Sequence, residues 1–156
     1  MALPELPEVK ERSKKTYLIT FLGIFLLMYI GIGMISNLIL KIVVGEESTN
    51  QIIVENLPMV FKIVSGIFLA PILEEIVFRG LLKKVIKNKV VFIIISSLIF
   101  GTMHIVPNLI NPIQLLYLVP YVLAGVELGF IYAKTDNIFT SITLHMFSNA
   151  LGILLA

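Results

Sequence analysis

Residues 57–82 read LPMVFKIVSGIFLAPILEEIVFRGLL, and the fold turns on how this stretch is read. It is apolar and long enough to cross a bilayer as a helix, which takes roughly 20 mainly apolar residues. Yet Glu74, Glu75 and Arg79 lie inside it. Ionisable groups at membrane depth are costly, so they are usually paired, face a bundle interior or wet cavity, and mark function.

Outward from this stretch, four more segments have the same character: 17–44, 90–107, 113–133 and 138–156. The chain of 156 residues is 58% hydrophobic and 14% charged, with a mean hydropathy of +1.00. A soluble domain is about a quarter charged, and one of this length could not hide so much apolar surface. The expectation is an all-α, polytopic transmembrane helix bundle of about five spans. Residues 1–16 form a cytoplasmic N-terminal segment and 17–156 a single transmembrane helical domain. The polar residues 1–15 could open a signal peptide, but the apolar run that follows is too long for one.

Lysine and arginine placement sets the orientation. Lys10, Arg12, Lys14 and Lys15 precede the first span, Lys83, Lys84, Lys87 and Lys89 separate the second from the third, and Lys134 separates the fourth from the fifth. The opposite loops hold Glu46, Glu47 and Glu55, or no charge at 107–112. The positive-inside rule puts the N-terminus in the cytoplasm. Short loops favour a bacterial plasma membrane. The stretch 45–56 reads as a polar loop leading into an amphipathic approach, with Pro58 opening the next helix; Pro107 and Pro112 bracket one turn, and Lys134-Thr135-Asp136-Asn137 forms another. The chain has no cysteine, which excludes disulfides, thiol catalysis and cysteine-rich zinc sites. No basic, aromatic-laced surface suggests nucleic acid.

Glu75 and Arg79 are four residues apart on one helix face, which predicts an intrahelical ion pair. Glu74 points about 100° away, so one arginine cannot serve both carboxylates equally. Gly66 and Ala70 lead to Glu74 along one face, permitting close helix approach or a cavity. Pro71 removes a backbone hydrogen bond and opens the helix locally. The only two histidines, His104 and His145, lie on two other spans. His104 follows Phe100 by four; His145 shares a face with Ser141, Ser148 and Asn149. One intramembrane histidine is commonly interhelical glue. Two of them with Glu74 are explained more economically by one shared site. Depth allows this with an offset: Glu74 and His145 lie about 13 Å from the cytoplasmic face, His104 about 22 Å. Gly125 and Gly129 form a packing GxxxG pair. Glu127 between them is expected to snorkel or pair with Lys134, and Lys62 to reach the outer interface.

The ordered set Glu74-Glu75-Ile76-Val77-Phe78-Arg79, Phe100-Gly101-Thr102-Met103-His104 and His145-Met146-Phe147-Ser148-Asn149 resembles the CPBP family of intramembrane proteases, also called the Abi or CAAX-protease family. The resemblance covers residues 60–156. It implies an endopeptidase that hydrolyses a peptide bond in a membrane-associated peptide or lipidated protein, either a CAAX-type prenyl protein or a bacteriocin or signal peptide. Glu74 with His104 would activate a water, and His145 with Asn149 would stabilise the oxyanion. Glu75 and Arg79 would support them. No cofactor is expected; the alternative is Zn2+ held by Glu74, His104 and His145. Family members usually have more helices before the first motif. A compact member, a truncated form, and a unit sealed by a partner subunit or a second copy all fit. The rival function is a non-catalytic bacteriocin self-immunity or membrane scaffold protein that keeps the motifs as a polar network. A proton carrier is less favoured, since no inverted repeat is visible.

Overall fold

In the computed structural model, residues 7–106 and 111–155 are described, and they contain helices and no strand. Helix α1 runs Pro7–Val44 and ends at Gly45, whose φ of 84° lets the chain turn where a side chain would be strained. Helix α2 is Thr49–Glu55, so the segment expected as a loop is helical over these residues. Ser48 caps it, its hydroxyl accepting the Gln51 N–H at 3.2 Å. Helix α3 is Met59–Val85, bent 120° from α2. Pro58 sits at its N-cap, just ahead of the first turn.

Helix α4 is Lys89–Ile105, capped by the Asn88 side chain, which accepts the N–H groups of Val90 and Val91. A 3₁₀ turn at Pro112–Tyr117 leads into helix α5, Leu118–Thr135. The expected turn after it is confined to Asp136, left-handed at φ 50°, and Asn137, whose side chain accepts the Phe139 N–H at the start of α6, Ile138–Leu155. The expected Pro107–Pro112 turn lies mostly outside the described residues.

Helices therefore stand at all five predicted segments. By length and composition Phe25–Val44 and Pro112–Thr135 can each cross a membrane, and the bent α2–α3 pair makes a third. Lys89–Ile105 and Ile138–Leu154 are shorter apolar helices.

Helix α3 is not uniform. Lys62–Leu69 and Ile76–Leu81 are π-helical and flank a normal α segment, Ala70–Glu75. The Ala70 N–H reaches back to the Ser65 carbonyl, five residues earlier. Pro71, five after Gly66, has no N–H to offer that carbonyl. The local opening expected at Pro71 is thus a π stretch on its N-terminal side, a distortion that recurs at functional sites.

The core lies where α3, α4 and α5 meet. Phe78, Phe100 and Leu128 are buried together, the two phenyl rings edge to face at 5.6 Å. Glycines bring α4 and α5 close. A Cβ on Gly101 would stand 2.5 Å from the Val122 side chain, and one on Gly125 would stand 2.8 Å from Ser97 Cα. Gly125 and Gly129 both pack on α4, as the GxxxG reading predicted.

Candidate active site

The α segment between the π stretches points Glu74 and Glu75 in different directions, and the structure gives them different surroundings. Glu75 is fully buried with Arg79. Arg79 Nη1 donates to Glu75 Oε1 at 3.0 Å and Nη2 to the Gly125 carbonyl at 2.9 Å. The guanidinium carbon lies 4.9 Å from the centre of the Phe100 ring, so the cation also has an aromatic face. The predicted Glu75–Arg79 pair is present, and it reaches α5 as well.

Glu75 Oε1 also accepts from His145 Nδ1 at 3.0 Å. A carboxylate can only accept, so this partner places a proton on Nδ1 and turns Nε2 the other way. His104 is oriented in the same manner: its Nδ1 donates to the Phe100 carbonyl at 2.8 Å. Both Nε2 atoms then face Glu74 Oε2, each at 3.8 Å. That distance is too long for a direct hydrogen bond. Glu74 Oε2 is buried and has no hydrogen-bond partner among the described residues.

The structure thus brings Glu74, His104 and His145 together from α3, α4 and α6. Side-chain direction reduces the depth offset of His104. Every helical side chain leans toward its own N-terminus. In consecutive helices joined by the short turn 86–88, Glu74 leans away from the turn and His104 leans back toward it.

Asn149 is near but engaged elsewhere: its amide donates to the Gly66 carbonyl at 2.8 Å. This is the carbonyl that Pro71 cannot serve, so a side chain of α6 repairs the ladder of α3. With Glu74, Gly66, Ala70, Phe100 and His104, Asn149 lines a cavity of about 420 Å³. The small-residue face leading to Glu74 therefore lines a cavity. Lys62 lies on that wall too.

Sequence reasoning missed Tyr121. Its ring stacks on His104 at 4.8 Å, and its hydroxyl lies 3.0 Å from Ser48 Oγ and accepts from Asn50 Nδ2 at 3.3 Å. The signal in the sequence was position, four residues before Gly125 on a face marked for packing. Gln114 and Tyr117 also hold the 46–49 segment. Gln114 Nε2 donates to Glu46 Oε1 at 2.6 Å, and the Tyr117 hydroxyl donates to the Glu46 carbonyl at 2.6 Å. Beside them, a hydrogen bond from Lys41 holds the Glu47 carboxyl below the usual carboxylate range.

Zinc asks for three donors converging on one point. Among the described residues no three His, Cys, Asp or Glu side chains are disposed to hold a metal ion.

Helical bundle and site together define a class: an all-helical membrane protein with a glutamate–histidine centre inside it. The chain belongs to the type II CAAX prenyl endopeptidase Rce1-like family, whose profile matches residues 56–151. It is similar to the candidate membrane peptidase YdiL of Bacillus subtilis, 32% identical over 117 residues, which cover 72% of this chain and 45% of YdiL. It is also similar to an uncharacterized protein of Mycoplasma capricolum subsp. capricolum, 30% identical over 159 residues, covering 94% of this chain and 46% of that protein. The chain spans about half the length of these curated relatives. No solved structure matches it.

Proposed function

We propose that the protein is an intramembrane endopeptidase that hydrolyses a peptide bond in a membrane-associated peptide or lipidated protein. One observation carries this reading: two imidazole nitrogens and a buried, unpartnered carboxylate oxygen surround a gap of 3.8 Å on each side. With both Nδ1 atoms committed as donors, a neutral His104 ring presents an acceptor to the Glu74 acceptor. A water in the gap resolves this, because its two protons can bond two of the three atoms. The same contacts draw a proton from that water as it attacks a carbonyl carbon.

Glu74 and His104 take the role of base. His145 is backed by Glu75, as a catalytic imidazole is backed by a carboxylate elsewhere. Glu74, Glu75 and Arg79 together leave one negative charge over, and a proton on His145 cancels it. His145 Nε2–H then donates to the oxyanion of the tetrahedral intermediate. The Asn149 amide has a second N–H beyond the one given to Gly66, and this is the further oxyanion donor. The peptide occupies the cavity that Glu74 lines, and the glutamate returns its proton to the leaving amine.

The lysine and arginine distribution supports a multi-pass protein of a bacterial plasma membrane, N-terminus in the cytoplasm. A partner subunit or second copy against α1 is part of the reading, since its Phe25–Val44 window is 0% buried.

The test is Glu74→Gln in purified, reconstituted protein. Cleavage of a membrane-anchored peptide falls below detection while the melting temperature holds or rises. A folded variant that still cleaves sinks the proposal. A rate unaffected by a chelator supports water activation without metal, whereas loss and recovery with zinc favours the His₂Glu alternative.

A further inference from the structure

A second cavity, about 500 Å³, lies between α1 and the α5–α6 pair. One face of α5 lines it, with Pro120, Leu123, Ala124 and Glu127 at the i, i+3, i+4, i+7 spacing. The expected neutralisation of Glu127 by Lys134 is not found, because Lys134 Nζ lies 5.6 Å from the centre of the Phe130 ring. Lys41, the cation lining this cavity, is held by Glu47. No hydrogen bond or ion pair joins Glu127 to any described residue. Glu47, Gln51 and Glu55 line the cavity too, and a half-buried carboxylate without a partner is costly and is relieved by a proton or by a cation.

This cavity adjoins the one that holds Glu74. Gln51, Glu55, Ala124, Ser148 and Gly152 line both. A Cβ on Gly152 would meet nothing within 4 Å, so the partition between them is open there. A chain lying against Glu74 could therefore send a neighbouring side chain through to Glu127. On the way Ala124 and Gly152 suit the methylene stem of a lysine or arginine, Gln51, Glu55 and Ser148 form the polar side, and the Glu127 carboxylate suits the charged head.

We propose that the Glu127 cavity is a subsite for a basic side chain of the peptide substrate, with Glu127 as its counter-charge. The inference rests on the peptidase reading for the identity of the ligand, but its test does not need turnover. Binding is measured on the Glu74→Gln protein in vesicles, with alanine-rich peptides carrying one lysine, norleucine or glutamate moved through each position. At one position the lysine peptide binds roughly tenfold or more tightly than the norleucine peptide, the effect of about one charge-assisted hydrogen bond. Adding Glu127→Gln removes the difference, Glu127→Asp keeps most of it, and Glu127→Lys transfers the preference to the glutamate peptide. Equal binding of the three peptides, or a lysine preference that survives Glu127→Gln, overturns the subsite. If the lysine preference follows Glu127 while the native chain cleaves none of the peptides, the subsite stands and the peptidase reading fails.

Discussion

Helices α1 and α5 both pass as membrane spans, with mean hydropathies of 2.0 and 1.7, but they are held in opposite ways. The Phe25–Val44 part of α1 is 0% buried, whereas 33% of Pro112–Thr135, the 3₁₀ turn and α5 together, is inside the protein. The difference lies in small residues and backbone acceptors. A Cβ on Gly31 of α1 would meet nothing within 4 Å; one on Gly125 of α5 would strike Ser97. The Gly125 carbonyl also receives Arg79. Hydropathy puts both helices in lipid, but only close approach and a polar anchor fix a helix in the bundle.

The strongest way to break this contrast is Arg79→Met. It strips α5 of its anchor and leaves Glu75 buried without its cation, so the folded state should lose about 3–5 kcal/mol. Thermal unfolding in detergent reads this, and Glu75→Leu in the same chain should restore part of the loss. Next is Gly125→Ala, expected to cost about 1–3 kcal/mol by overpacking against α4. Gly31→Ala on α1 should leave the unfolding temperature unchanged. Equal effects at the two glycines would erase the distinction. Smaller again is Tyr121→Phe, which keeps the stack on His104 and removes the hydroxyl tie to Ser48, at about 1 kcal/mol.

The smallest effect belongs to the end of α1. The Lys41 bond lowers the Glu47 carboxyl in the folded state, so its contribution is complete above the ordinary carboxylate range. It is lost as pH falls through the lowered folded value. Lys41 is 57% exposed, so salt should screen the pair strongly. Acid unfolding of Glu47→Gln against the parent chain, at low and high salt, measures it.

These contrasts were unevenly legible in the sequence. The ion pair of Glu75 and Arg79 follows from helical spacing alone, and the convergence of Glu74, His104 and His145 follows from the cost of isolating each. Pro71 announced a distortion, but not that π-helix would extend on both sides of the motif glutamates. The docking of Tyr121 on Ser48 spans 73 residues and has no local pattern to betray it. Glu127 was expected to snorkel or to pair with Lys134 because it lies about two turns from the cytoplasmic end, yet the lysine lies over an aromatic ring instead. Local periodicity foretells which face a residue occupies. It does not say which of several partners on that face will be chosen.

The bond from Arg79 to the Gly125 carbonyl bears on when such a centre comes into being. Insertion alone can place α3, with both glutamates, in the membrane. Until α5 docks, Arg79 lacks its acceptor on that helix, Glu75 is not held still, and His145 has no fixed carboxylate to aim it. On the proposed reading, reactivity is then a property of the finished tertiary structure, and a half-assembled chain in the bilayer would be chemically silent.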